Sequence, residues 1–184
     1  MQPPLVLYTG TPAWVGPPEV RPVRKGRAEH GPGIYLTNRL ETARKYAGGA
    51  RTVLRVEVEP PSLWLEDAVV PTDVLVGWVM DRRGLRKKRE IVDDLVTRGR
   101  GRLPSGQSYP FVLLNLLVNH GVVTGEHGPA IARFLSSLGI SASHVERGGD
   151  EDWVVLFDPS KVRRWERVAA GAPWQLPRVR PRVT

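Results

Sequence analysis

The sequence predicts an α+β domain, in which strands from both ends of the chain enclose a helical insertion. Residues 51–58 alternate apolar and polar side chains, as a half-buried strand does. Residues 153–157 form an unbroken apolar run, which is typical of a strand inside a sheet. Between them, residues from about 70 to 139 are helical in character. Strands and helices that are grouped rather than alternating favour the α+β class.

The first sixty residues are predicted to form a strand, a loop, a helix and a second strand. Residues 5–8 read as a short buried strand, and residues 12–33, rich in proline and glycine, as a loop. Asn38 is expected to cap a helix over residues 39–47, because Glu41 three residues later completes a capping box. The glycine pair that follows ends this helix.

The remainder of the chain is predicted to contain four helices and then three more elements. The helices are expected over residues 72–80, 85–97, 109–119 and 129–138, with a flexible linker at 99–108. Strands are expected over residues 140–145 and 153–157, and a strand or short helix over 161–168. We therefore expect one domain over residues 1–168, followed by a basic tail rich in proline and arginine over residues 169–184, poorly ordered at its end.

The composition excludes several kinds of protein. Hydrophobic residues make up 41% and charged residues 25% of the 184 residues, as in a globular domain with a real core. No apolar run approaches the roughly 20 residues that span a membrane, and the start does not resemble a signal peptide. The absence of cysteine excludes disulfides and thiolate zinc sites. The histidines lack metal-ligand spacing, so we expect no metal. Because the sequence shows no signal peptide, no membrane span and no cysteine, we expect no membrane contact and a cytoplasmic location.

The formal charge of +8 is concentrated in two zones. Residues 82–102 contain nine basic and three acidic side chains, and residues 161–184 contain seven basic and one acidic. The functional interpretation is contact with a polyanion through residues 82–102 and 161–182. The alternative is a solvated arginine-rich helix and a frayed tail, since no aromatic side chains interleave with the charges of the first zone.

Two segments near the start supply groups that suit a planar ligand. The first strand runs into Gly10, where backbone N–H and C=O groups can approach a ligand closely. The hydroxyls of Thr9 and Thr11 flank this glycine. Tyr35 precedes the predicted helix and Tyr46 lies within it, so that their rings can pack on either side of a planar heteroaromatic such as nicotinamide.

Two acidic residues stand where the last apolar strand begins. Glu151 and Asp152 directly precede Trp153. A carboxylate at the mouth of a strand can bind a ribose hydroxyl and stabilise a developing cation. Because side chains alternate along a strand, only one of the two can face the pocket. The alternative is a solvated acidic turn. His30 either closes the pocket from the loop side or is a surface histidine.

Taken together, these segments resemble the ADP-ribosyltransferase superfamily, in its diphtheria-toxin and PARP-like branch. The segments that carry the resemblance are Tyr8-Thr9-Gly10-Thr11, Gly31-Pro32-Gly33-Ile34-Tyr35-Leu36-Thr37 with the later Tyr46, and Glu151-Asp152-Trp153-Val154-Val155. The closing segment Phe157-Asp158-Pro159-Ser160-Lys161-Val162 is similar to the end of bacterial and phage members. The resemblance covers most of residues 5–168, with the helical insertion matching in outline, and implies an ADP-ribosyltransferase-like split β-sheet core.

The resemblance implies that NAD is the substrate and that nicotinamide is released. Gly10 would hold the carboxamide of nicotinamide, Thr11 would contact the neighbouring ribose, and Thr9 stands where the family has a histidine. The rings of Tyr35 and Tyr46 would flank the nicotinamide, with His30 at the rim.

The same resemblance implies that Glu151 or Asp152, together with Tyr35, forms the catalytic part of the site and stabilises an oxocarbenium-like transition state. ADP-ribose would then pass to a protein, nucleic-acid or small-molecule acceptor without a metal, as in a phage or toxin-like modifier of a host.

Three other functions stay open on the sequence alone. A degenerate module that binds NAD or ADP-ribose without turnover is one, because Thr9 is shorter than the family's histidine. A basic nucleic-acid-binding protein, in which Tyr35 and Tyr46 only fill the core, is the second. The third is a relative of the RNA 2′-phosphotransferases, which is disfavoured because that family needs arginine and histidine in its opening motifs.

Overall fold

The computed structural model describes residues 3–11, 16–22, 29–48, 52–99, 101 and 103–180. The strands are β1 (Leu5–Gly10), β2 (Ile34–Thr37), β3 (Val53–Val58), β4 (Val70–Pro71), β5 (Gln107–Ser108), β6 (Ala142–Arg147), β7 (Glu151–Leu156) and β8 (Val162–Arg167). The helices are α1 (Leu40–Ala47), α2 (Thr72–Asp81), α3 (Lys88–Arg98), α4 (Pro110–Asn119) and α5 (His127–Ser137), and a 3₁₀ turn covers Pro159–Lys161. The chain is therefore of the mixed α+β class, with the helical segment between β3 and β6.

Six strands form one antiparallel sheet in the order β6-β7-β2-β1-β3-β8. Strands β4 and β5 pair separately inside the helical insertion. Strand β1 is paired with β3 along its whole length, from Leu5 opposite Val58 to Gly10 opposite Val53. Its register with β2 is a single pair, Tyr8 opposite Thr37. The sheet is thus continuous but narrowly joined at its centre, where the two halves diverge beyond this pair.

The two faces of the sheet have separate cores. On one face, Val155 of β7 packs against the insertion helices, and Tyr8 of β1 packs against α1 through Leu40 and Ala43. On the other face, the buried side chains come from β1, β2, β3, β6 and β7 and include Leu7, Ile34, Leu36, Leu54, Val56, Val58, Ala142, Val154 and Leu156. This alternation along β1 and β7 fixes which side chains face the helices.

The N-cap predicted at Asn38 is wrong. Helix α1 follows Arg39, and no side chain caps it. The side chain of Asn38 is completely buried and instead donates to the carbonyl oxygens of Asp150, at 2.9 Å, and Leu176, at 3.4 Å. An amide that can donate twice and accept once serves three backbone groups here, which a capping position would not require.

Most of the predicted elements agree with the structure. The four insertion helices are confirmed, although α5 begins at His127, because Pro129 stands inside its first turn. The choice left open for residues 161–168 resolves into the 3₁₀ turn followed by β8. None of the helices among the described residues is long and apolar enough to cross a membrane.

The tail after β8 packs on the domain as far as it is described. Residues 173–180, here called the strap, run past β1, α1 and β7. The phenol of Tyr8 donates to the carbonyl of Pro173 at 2.7 Å, and the amide of Leu40 donates to the carbonyl of Trp174 at 2.9 Å. The amide of Leu176 donates to the carbonyl of Asn38 at 2.8 Å. The last four residues of the predicted tail lie outside the described residues.

Candidate functional site

A cavity of about 680 Å³ opens where β1 and β2 diverge. This volume lies within the range of pockets that hold small-molecule ligands. The walls come from the end of β1, from β2, from one side of α1 and from the loop before β2. The lining includes six residues expected at the site from the sequence, Thr9, Gly10, Thr11, His30, Tyr35 and Tyr46, and also Thr37, Thr42 and Trp153.

The backbone of Gly10 is directed into this opening. The amide of Thr11 donates to the carbonyl of Thr52 at 3.1 Å, on the β3 side of the strand. Because N–H and C=O groups alternate in direction along an antiparallel strand, those of Gly10 point to the opposite side, toward β2. Continuing the register from the pair of Tyr8 and Thr37 brings Tyr35 opposite Gly10 across the gap. A flat amide-bearing ligand can therefore meet backbone donors and acceptors at this point.

Glycine is needed at position 10 for a second reason, which the sequence did not indicate. A Cβ atom there would lie 1.8 Å from the carbonyl oxygen of Ala43 and 2.5 Å from the amide nitrogen of Ala47. Both atoms belong to the backbone of α1, which cannot move aside as a side chain can. Glycine is thus required for α1 to lie against β1, independently of any ligand.

The phenol of Tyr35 is held by the loop before its own strand. It donates to the carbonyl of Gly31 at 2.7 Å and accepts from the amide of His30 at 3.2 Å. Burial raises the pKa of Tyr35 to about 12, with the hydrogen bond from His30 opposing this change. The neutral phenol that results can form a wall and a hydrogen bond, but it is no general base near neutral pH.

The indole of Trp153 stands at the centre of the aromatic wall. It meets the rings of His30, Tyr35 and Tyr46 edge to face, with centroids 5.9, 6.3 and 5.5 Å away. The guanidinium of Arg147 lies over the same indole, 4.7 Å from its centroid. The two tyrosines are therefore linked through Trp153 in this structure, rather than enclosing an open slot between themselves.

Burial and the neighbouring charge of Arg147 both act on His30. The pKa of His30 is lowered mainly by burial and further by the charge of the Arg147 guanidinium, while the charge of Glu29 raises it. The Nη1 atom of Arg147 lies 3.5 Å from Nε2 of His30. Arginine has no acceptor, so this contact favours the neutral tautomer with a free Nε2 lone pair.

The structure separates the two acidic candidates, because they alternate along β7. Glu151 points to the same side as Trp153, toward the cavity wall. Asp152 points to the other side and is completely buried. The catalytic position expected for Asp152 is therefore wrong, because its carboxylate is enclosed on the other side of the sheet. Glu151 does not itself line the cavity either, but it accepts hydrogen bonds from Trp153 and Thr37, which do.

The carboxylate of Glu151 is held by a set of neutral donors. The indole Nε1–H of Trp153 donates to its Oε1 at 2.6 Å, and the hydroxyl of Thr37 donates to the same oxygen at 3.4 Å. Burial raises the pKa of Glu151, but hydrogen bonds from Trp153, Thr42 and Thr37 and the charge of Arg39 outweigh burial and leave the pKa below its ordinary value. The group is a carboxylate at neutral pH.

Sequence reasoning missed Trp153, Thr37 and Thr42 as site residues. Trp153 stands two residues after Glu151, so the alternation of a strand already put both on one face. Thr37 ends the motif around Tyr35 and faces Trp153 across the β2–β7 ladder. Thr42 comes from the first turn of α1, and no pattern in the sequence singled it out.

The two basic zones differ in the structure. Five of the six described basic residues between 161 and 180 already have a carboxylate partner within 4 Å, namely Lys161, Arg163, Arg164, Arg178 and Arg180. In the first zone, by contrast, Arg83, Arg86, Lys87 and Arg89 are exposed and have no ion pair with the part of the chain that the structure describes. A free basic surface is therefore found at residues 83–89.

Comparison with known proteins identifies no relative: no family model, no curated protein and no solved structure matches this chain. Among the described residues, no group of three or more histidine, aspartate or glutamate side chains is arranged to hold a metal ion.

Proposed function

We propose that the protein is an NAD-dependent mono-ADP-ribosyltransferase that releases nicotinamide. The observation that carries the proposal is the opening between β1 and β2. There the backbone of Gly10 faces Tyr35, and the Glu151 carboxylate stands on the same face of the sheet as Tyr35. A planar ring with a carboxamide and a ribose needs such a combination: backbone hydrogen bonds, an aromatic wall and a negative charge.

Nicotinamide suits both the backbone hydrogen-bonding groups of Gly10 and the aromatic side chains of the cavity. Its carboxamide has one acceptor and two donor hydrogens, which match the N–H and C=O of Gly10. Its pyridinium ring carries a positive charge, and aromatic faces attract cations. Tyr46 is 62% exposed in this structure, so its ring is free to pack on a ligand at small cost to the core.

In the proposed reaction, the bond between nicotinamide N1 and ribose C1′ breaks and its electron pair neutralises the pyridinium. The nucleophile of the acceptor forms the new bond at C1′ and loses its proton to the solvent. The charge that develops on the ribose is cationic, and the preorganised carboxylate of Glu151 stabilises it. The Trp153, Thr37 and Thr42 donors keep that carboxylate ionised and oriented.

The free basic surface at residues 83–89 supports a polyanionic acceptor. Four exposed cations without ion pairs among the described residues attract phosphates, and no aromatic side chain lies within this segment to read bases. We therefore propose a nucleic acid, bound through its backbone, as the acceptor or as the scaffold that carries it.

Two observations favour a second candidate, a domain that binds NAD or ADP-ribose without turnover. Thr9 stands where the resembling family has a histidine, and the indole of Trp153 lies between the two tyrosines. A ligand ring between Tyr35 and Tyr46 then requires Trp153 to shift, which binding can support even if catalysis does not follow.

Calorimetric titration with NAD tests the site that both candidates share. Wild type is expected to bind, and Tyr46→Ala to weaken binding about 2- to 10-fold through loss of one aromatic contact. Trp165→Ala, which removes an exposed aromatic from β8 on the far edge of the sheet, is the control and is expected to bind as wild type. No binding of NAD by wild type would overturn both candidates.

A further inference from the structure

We propose that Arg178 is a positioning residue for the Glu151 carboxylate and acts through Asp152, so that the strap forms part of the active site's support. The proposal rests on the proposed function, because that function assigns the transition-state charge to Glu151. It gives the C-terminal strap a role beyond covering the sheet.

Asp152 is the anchor at which the strap meets β7. Its buried carboxylate accepts from Arg178 twice, from Nη2 to Oδ1 at 2.6 Å and from Nε to Oδ2 at 3.2 Å. The backbone amide of Val179 donates to Oδ2 at 2.8 Å. The Nε2 atom of His144 in β6 lies 3.1 Å from Oδ1. The strap thus holds this carboxylate with three separate donors in a fixed, bidentate geometry.

The backbone of Asp152 is held as firmly as its side chain. Its amide donates to Oδ1 of Asn38 at 2.9 Å, and its carbonyl accepts from the amide of Asn38 at 3.2 Å. The Asn38 side chain also donates to the carbonyl of Leu176 in the strap. The strap, Asn38 just after β2, and β7 therefore meet around one residue of β7, next to Glu151 in the chain.

Fixing Asp152 fixes the direction of its neighbours. In a strand, successive side chains leave the backbone on opposite faces. Glu151 and Trp153 flank Asp152, so a rotation or slip of Asp152 moves both of them on the cavity face. A carboxylate that stabilises a developing charge must be held within a fraction of an ångström to be effective, and a misplacement of about 1 Å can cost about 100-fold in rate.

The chemistry of the anchor supports a positioning role over a purely stabilising one. The Asp152 carboxylate is completely buried and loses its hydration, which offsets much of the stability that its ion pair with the partly exposed Arg178 contributes. What an arginine fork and a carboxylate supply is directional geometry, with two parallel hydrogen bonds. Arg180, two residues later in the strap, forms an ion pair with Asp67 instead and lies over Trp64.

Steady-state release of nicotinamide by full-length variants tests this role. Arg178→Lys keeps the charge but loses the fork, and the paired variant Asp152→Asn with Arg178→Gln removes both charges of the ion pair together. Both are expected to fold, to keep the KM for NAD, and to lose about 10- to 100-fold in kcat. Arg180→Gln is the control and is expected to stay within about twofold of wild type.

The pH profile separates positioning from stability. If the strap keeps Glu151 in contact with its donors, the acid limb of kcat moves to higher pH in the paired variant, because the pKa of Glu151 returns toward its ordinary value. The charge of Arg39 also lowers the pKa of Glu151, and Arg39 is unchanged in these variants. A folded paired variant with the kcat and the acid limb of wild type would overturn the proposal.

The proposal can fail separately from the proposed function. If wild type releases no nicotinamide, the proposed transferase activity fails, and the strap is then tested by carbon-13 NMR titration of the Glu151 side chain. An upward pKa shift in the paired variant but not in Arg180→Gln supports the positioning role. An identical Glu151 titration in wild type and the paired variant overturns it.

Discussion

The indole of Trp153 donates to the carboxylate of Glu151, from Nε1 to Oε1 over 2.6 Å, within a single strand. The two residues are two positions apart and share one face of β7. The same indole meets three other rings of the cavity wall, so the wall and the carboxylate form one connected unit. A ligand or substitution that moves the rings of the aromatic wall is therefore expected to change the orientation of Glu151 as well.

Trp153→Phe is expected to keep the aromatic wall but to remove this donor. A hydrogen bond to a charged group is worth about 1.5–3 kcal/mol, so kcat for nicotinamide release should fall about 10- to 100-fold. The pKa of Glu151 should rise, because the strongest of its hydrogen bonds is lost. Trp165→Phe on β8 is the control, and equal effects of both substitutions would contradict this account.

Gly10→Ala is expected to destabilise the fold, whether or not a ligand binds there. The added methyl would lie 1.8 Å from the Ala43 carbonyl, so α1 must move away from β1. The loss should reach about 3 kcal/mol in the free energy of unfolding, measured by urea denaturation. Gly77→Ala in α2, where no atom lies within 4 Å of an added Cβ, should instead leave stability equal or slightly higher.

The stability of the fold is expected to fall in acid through Asp152. Burial raises the pKa of Asp152, but hydrogen bonds from Arg178, Val179 and His144 outweigh burial and leave it below the ordinary value. A carboxyl whose pKa is lower in the folded than in the unfolded protein stabilises the fold at pH values above its unfolded pKa. This contribution to stability is lost as the pH falls below about 4 and through the folded pKa.

Urea denaturation at a series of pH values measures this effect. Asp152→Asn should be less stable than wild type at neutral pH, and the difference should shrink as the pH falls. A difference that stays constant down to the lowest pH at which wild type folds would contradict the assignment of the buried ion pair.

Removal of charge at residues 83–89 is expected to weaken nucleic-acid binding. The variant with glutamine at Arg83, Arg86, Lys87 and Arg89 should lose most of the salt dependence of binding to a short duplex, measured by fluorescence anisotropy. Four phosphate contacts correspond to a slope of about −3.6 in the logarithm of affinity against the logarithm of salt.

The matched control removes four charges from the paired zone, with glutamine at Lys161, Arg163, Arg164 and Arg167. Because three of these already have carboxylate partners, binding should change little. Equal losses in the two variants would mean that net charge alone, and no defined surface, attracts the nucleic acid.

Part of the fold near the site was predictable, because its signals are local, but no strand was predicted over residues 34–37, where the structure has β2. The alternation in residues 51–58 gave β3, and the apolar run at 153–157 gave most of β7. Gly10, Tyr35 and Tyr46 meet around one cavity, as expected from Gly10 at the end of a strand, Tyr35 before the predicted helix and Tyr46 within it. Asn38 was assigned wrongly, because a residue suited to capping is equally suited to bridging three backbone groups, and distant strands decide between the two.

The role of the tail could not be read from its sequence. Proline and arginine in residues 169–180 are typical of an exposed segment, yet the buried partner of Arg178 lies 26 positions earlier in the chain. The sequence could not decide between Glu151 and Asp152 for the same reason, because their placement depends on a strand that is distant in the chain. Alternation indicates that the two carboxylates lie on opposite faces of the sheet, but only the register of β7 against β2, with Thr37 opposite Trp153, shows that Glu151 is on the face of Tyr35.

The most direct test of the proposed function is the release of nicotinamide from NAD, measured by chromatography with and without added nucleic acid or lysate. Wild type is expected to release nicotinamide, and Glu151→Gln to lose at least about 100-fold, since it removes the charge that stabilises the transition state. Glu41→Gln, an exposed residue on α1, should match wild type. Binding of NAD by wild type without release, or equal release by Glu151→Gln, would contradict the account.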